Sequence, residues 1–182
     1  TVTGTVSEVT AALVTSDTLV VVDDAAVTLS DSGSVVATLL SAIGGNTSGT
    51  VTGSSISTVT GTVSEVTAAL VTSDTKVTVA SNAAVTISGT NTTATELAAI
   101  DNETTGVIQA TLASGNSASF SALTDDNNNN NLTINIIEAS GYSTAATVLS
   151  AIGGNTSGTV TVNGSTADTG TITGTVSEVT AA

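Results

Sequence analysis

The sequence predicts a β-solenoid, parallel β-helix-like, of about six coils, and three observations predict it. The phrase TVTGTVSEVTAALVTSDT occurs letter for letter at Thr1–Thr18 and Thr58–Thr75, and its first twelve positions return at Thr171–Ala182 with Ile172 in place of Val. A second phrase, LSAIGGNTSGTVT, occurs at Leu40–Thr52 and again at Leu149–Thr161. Finally, the helix-end aliphatics Leu13, Ile43, Leu70, Ile100, Leu123 and Ile152 lie 30, 27, 30, 23 and 29 residues apart, so each coil takes roughly 23–30 residues. Self-similarity at a near-fixed period is how units that cannot bury a core alone, and must stack, look in sequence.

The interval from Val71 to Ile100 supplies the order within a coil. Val77 and Val79 alternate with Thr78, which is the period-2 pattern of a strand. A polar corner follows at Ser81 and Asn82, and Val85 and Ile87 alternate around Thr86 as a second strand. Ser88 to Thr92 forms another corner. Thr93-Ala94-Thr95-Glu96 then opens a helix as a capping box, with Leu97 and Ile100 three apart on its apolar side. The expected unit is therefore strand, corner, strand, corner, short helix. Thr5-Val6-Ser7-Glu8, Thr62-Val63-Ser64-Glu65 and Thr175-Val176-Ser177-Glu178 repeat the box.

Composition agrees with a thin aliphatic core. Trp, Met and Cys are absent, Phe120 and Tyr142 are the sole aromatics, and 40% of residues are hydrophobic. Seventeen Gly, no Pro and abundant Thr and Val favour strands joined by tight corners. Fifteen acids against one base, Lys76, give a formal charge of −14, which repels nucleic acid and anionic membrane. No signal peptide is visible and no apolar run is long enough to span a bilayer. The same phrase stands at both ends, so residues 1–182 read as one continuous segment cut from a longer repeat array.

Candidate sites are few. Asp125-Asp126 followed by Asn127 to Asn131 is a polar insertion whose carboxylates and amide carbonyls suit a hard cation, making Asp125, Asp126 and Asn127 the metal candidate and Ca²⁺ the one cofactor on offer. A solvated loop is the plainer reading of the same residues. Asp17 and Asp74 share one repeat position and suit turns. Glu8, Glu65, Glu96 and Glu178 are accounted for by their capping boxes. With no His, Arg or Cys, most general-base, oxyanion and nucleophile arrangements cannot be assembled, so no catalytic residue is expected. The triplets Thr1/Thr3, Thr50/Thr52, Thr58/Thr60, Thr159/Thr161 and Thr171/Thr173 would put paired hydroxyls on a strand face, an arrangement that resembles the ice-binding faces of some antifreeze proteins, although strands at Val77, Val85 and Leu132 interrupt it. Asn46, Asn91, Asn102, Asn131, Asn155 and Asn163 each begin an N-x-Ser/Thr triplet, a glycosylation pattern that arises by chance in so Ser/Thr-rich a chain. Lys76 stands where the first copy has Leu19, so an exposed ion pair is its plain role.

VTGTVSEVTAALVTSDT, and TATELAAIDNETTGVIQA at Thr93–Ala110, are similar to repeats in giant cell-surface and extracellular proteins of bacteria, notably marine cyanobacteria. The resemblance implies an extended extracellular structural or adhesive polymer. Calcium-dependent relatives usually carry a glycine–aspartate signature that this chain lacks. The expected function is a structural part of an extracellular filament, surface stalk or adhesin, whose partners are further repeats of the chain or copies of itself head to tail. The alternative is a binding module for ice or carbohydrate on a strand face.

Overall fold

A computed structural model describes residues 1–17, 20–123, 130–138, 143–164 and 171–173. It divides into two compact units, Thr1–Ser88 with Ala99–Val107, and Gly89–Ala98 with Ile108–Ala182.

In the first unit strands and helices alternate: β1 (Val2–Gly4), α1 (Val6–Leu13), β2 (Val27–Leu29), β3 (Gly33–Val36), α2 (Ala37–Gly44), β4 (Val51–Gly53), β5 (Ile56–Thr62), α3 (Val63–Leu70), β6 (Val77–Val79) and β7 (Ala84–Ser88). β1, β2, β4 and β6 form one parallel sheet in that order, while β3, β5 and β7 are neighbours in another. Like pairs with like: Val2, Val27, Val51 and Val77 make one column, and Thr3, Thr28, Thr52 and Thr78 the next. Period-2 alternation sends the valines inward, where Val27, Val51 and Val77 are buried, and leaves Thr3, Thr28 and Thr78 exposed. The helices bury one side each, through Val9 and Leu13 in α1, Leu40 and Ile43 in α2, and Val66 and Leu70 in α3.

Helix α4 (Ala94–Asp101) has residues in both units. The second unit continues with β8 (Ile108–Thr111), a 3-10 turn (Ser117–Phe120), β9 (Asn131–Glu138), β10 (Ser143–Ala145), α5 (Ala146–Gly154), β11 (Val160–Gly164) and β12 (Thr171–Thr173). β9 pairs in parallel with β8 on one side and β11 on the other, and β10 pairs with β12. Leu132, Ile134 and Ile136, alternate residues of β9, are fully buried together with Ile108, Leu112 and Phe120.

The expected β-solenoid of six equivalent coils is corrected by this arrangement. The sheets are open and parallel, with no closed or solenoid sheet, and helices alternate with strands, so the class is a parallel α/β fold, Rossmann-like in that alternation. The physical reason lies in the repeats. A solenoid needs equal phrases to stack on the same face, yet Val2–Gly4 sits beside β2 in the first sheet, whereas the identical Val59–Gly61 sits between β3 and β7 in the other. The beta-solenoid and beta-helix description falls with it. Among the described residues no helix is long and apolar enough to cross a membrane.

Candidate functional site: hydroxyl ladder, helix caps and open strand edges

Strand order in the first sheet rises steadily along the chain without reversing. Open α/β sheets bind ligands in the crevice made where strand order reverses, and this sheet has no such crevice. Function has to be sought on strand faces and edges.

The outer face of the first sheet carries the ladder Thr3, Thr28, Thr52, Thr78, one hydroxyl per strand at the ~4.8 Å spacing of neighbouring strands. The position before each is Thr1, Ala26, Thr50 and Lys76, so a second complete column does not form. Thr58/Thr60 belong to β5, in the other sheet, and Thr159/Thr161 belong to the second unit. The five triplets expected to share a face are thereby dispersed; for Thr171/Thr173 only the backbone is described.

The capping boxes form as the sequence reads. The Glu8 carboxylate accepts the Thr5 N–H at 2.8 Å and its hydroxyl at 2.9 Å, while the Thr5 hydroxyl accepts the Glu8 N–H at 3.2 Å. Thr62 with Glu65 and Thr93 with Glu96 repeat the exchange. The backbone bond from Thr5, then its hydroxyl bond, holds the Glu8 carboxyl below its ordinary range. Asp31 adds a second acceptor at α1, taking the Val6 N–H at 2.5 Å. Helices α2 and α5 begin after Val36 and Ala145 and have no side-chain cap. Glu178 lies outside the described residues.

Asp125, Asp126 and Asn127, the cation candidate, also lie outside the described residues. The far end of the Asn run is structural: Asn130 is fully buried and its side-chain carbonyl accepts the Ile108 N–H at 2.6 Å. Among the described residues no group of three or more His, Cys, Asp or Glu could hold a metal ion. Asp17 and Asp74 are exposed in turns, and Lys76 pairs with Glu103 at 2.6 Å. An open hollow of about 620 Å³ lies between Val20–Asp23 and Gly44–Gly49 and reaches Asp74 and Lys76. It brings one ammonium near two carboxylates and assembles no nucleophile with a base.

Three of the N-x-Ser/Thr triplets are engaged in packing. Asn46 and Asn155 donate their amides to helix carbonyls, Ala42 and Ala151, each at 2.8 Å, and Asn163 donates to Asn135 at 2.5 Å. The informative residue is the next one. Thr47, Thr104 and Thr156 each donate a hydroxyl to the backbone of the preceding winding, at Ala25 (2.7 Å), Ala83 (2.5 Å) and Leu132 (3.2 Å). Each also accepts the N–H of the glycine two residues on, Gly49, Gly106 or Gly158. Those glycines lie so close to the same backbone segments that a Cβ has no room. Sequence reading missed this clamp, although NTSG, ETTG and NTSG recur after the helices as its signal.

Two strand edges complete the inventory. Among the described residues β1 pairs only with β2, and β11 only with β9. Comparison with family profiles, curated proteins and solved structures yields no match to this chain.

Proposed function

We propose that the chain is a non-catalytic structural segment of an extracellular filament or cell-surface stalk, of the kind to which its repeats are similar, and that it works by adding parallel strands edge to edge. The observation that carries this reading is the like-on-like register, Val on Val and Thr on Thr through four strands, which makes each edge complementary to another copy of the same pattern. The charge of −14 supports it, since net repulsion keeps such material soluble until edges meet in register. Electron microscopy of the purified chain at rising concentration tests it. Long uniform fibres are expected; isolated particles at every concentration would sink the reading.

The Thr3–Thr28–Thr52–Thr78 ladder favours a second reading, in which this hydroxyl face binds ice. A thermal-hysteresis assay decides it: no activity at high protein concentration removes it.

A further inference from the structure

We infer that the open edge of β11 in one copy takes the open edge of β1 in a second copy, in parallel, with Val160 beside Val2 and Thr161 beside Thr3. This deepens the filament reading and rests on it.

The argument begins from backbone phase. Successive residues of a strand turn their N–H and C=O to opposite sides, so an edge offers only every second residue. In β1 the Val2 N–H donates to the Ala26 carbonyl and the Gly4 carbonyl accepts the Ser30 N–H, so Val2 and Gly4 face β2. Thr1 and Thr3 therefore face the open side. In β11 the Thr159 carbonyl accepts the Ile134 N–H, so Thr159 and Thr161 face β9 and Val160 faces the open side.

Val160 on one edge and Thr1 with Thr3 on the other are the phases that a joined pair requires. The same pairing already exists inside the first unit. Val27 donates its N–H to the Thr50 carbonyl, so the valine of one strand bonds to the residue before the valine of the next. β4 shares the phrase SGTVT with β11 and is paired on both sides, taking β6 as Val51↔Val77, Thr52↔Thr78 and Gly53↔Val79. β1 presents Val-Thr-Gly where β6 presents Val-Thr-Val, so side-chain facing matches as well. The phrase of β1 is itself doubly paired elsewhere, as β5 between β3 and β7. Both edges thus carry sequences that this chain completes with a second neighbour at another place. Charge does not oppose the contact, because neither strand contains an acidic or basic residue.

The chain has no cysteine, so engineered thiols report the joint without background. Thr3→Cys and Thr161→Cys, both at exposed positions, are made in separate full-length chains, mixed and gently oxidised. Residues directly opposite are close enough for a disulfide, whereas diagonal ones are not, so the mixed dimer should exceed that of a Thr3→Cys with Asn163→Cys mixture on the order of tenfold. Thr3→Pro removes an N–H that faces the open side and leaves the bonds to β2 intact. It should abolish fibres while leaving the far-UV spectrum unchanged. Fibres with no preferred Thr3→Cys/Thr161→Cys dimer, or dominance of the two homodimers, overturn the joint and leave the filament reading standing. A preferred mixed dimer with no wild-type fibres supports the joint and overturns the filament.

Discussion

Residues 1–17 and 58–74 are identical in sequence and different in surroundings. Both fold into a strand, a capping box and an eight-residue helix, ended alike by Val14 and Val71 donating to the carbonyls of Thr10 and Thr67. The strand of the first copy has one neighbour and Val2 is half-buried; that of the second has two, and Val59 is fully buried between Val35 and Val85. In the second copy β4 already fills the first-sheet position and ends at Gly53, three residues before β5 begins at Ile56. The repeated phrase is therefore displaced to the other sheet. Local structure travels with the sequence, and sheet membership does not.

The largest effect that would break this comparison is in the core. Val59→Ala should cost about 2–3 kcal/mol, because the cavity opens in a fully packed column, whereas Val2→Ala should cost less than about 1 kcal/mol. Equal shifts of the urea midpoint would show that the two copies share an environment after all.

Gly61→Ala and Gly4→Ala sharpen the contrast at smaller scale. A Cβ on Gly61 would lie 3.0 Å from the Glu65 carboxylate and 3.1 Å from the Ala37 side chain. On Gly4 the tightest contact, at 3.1 Å, is with the tip of Glu8, which can swing away. About 1–2 kcal/mol is expected for Gly61→Ala and under about 1 kcal/mol for Gly4→Ala, read from thermal unfolding.

The smallest effect is one of pH. The Glu8 carboxyl has a folded-state pKa below its unfolded value of 4.5, so its contribution to stability is present above that value. It is lost as pH falls through the folded pKa. Glu8→Gln should lower the melting temperature slightly at pH 7 and leave it unchanged in strong acid. A difference that persists at the lowest pH would mean that the carboxylate is not the stabilising species.

The capping boxes were legible because Thr and Glu lie three residues apart and need no distant partner; the described boxes at Thr5, Thr62 and Thr93 all form. The Thr47, Thr104 and Thr156 clamps were not, because their acceptors lie more than twenty residues upstream and the glycosylation pattern overlies two of the three. The solenoid expectation failed for a related reason. Spacing between helix ends revealed that windings recur, but it could not tell that one phrase would enter one sheet at Val2 and the other at Val59.

What the sequence alone determined is whatever closes within a few residues: Val inward and Thr outward along each strand, a box at each TVSE, a helix of two turns. The tertiary structure decided which sheet each strand joins and how many neighbours it has. The reason is that alternation has a period of two and is satisfied equally by any parallel neighbour, so it names a face and never a partner.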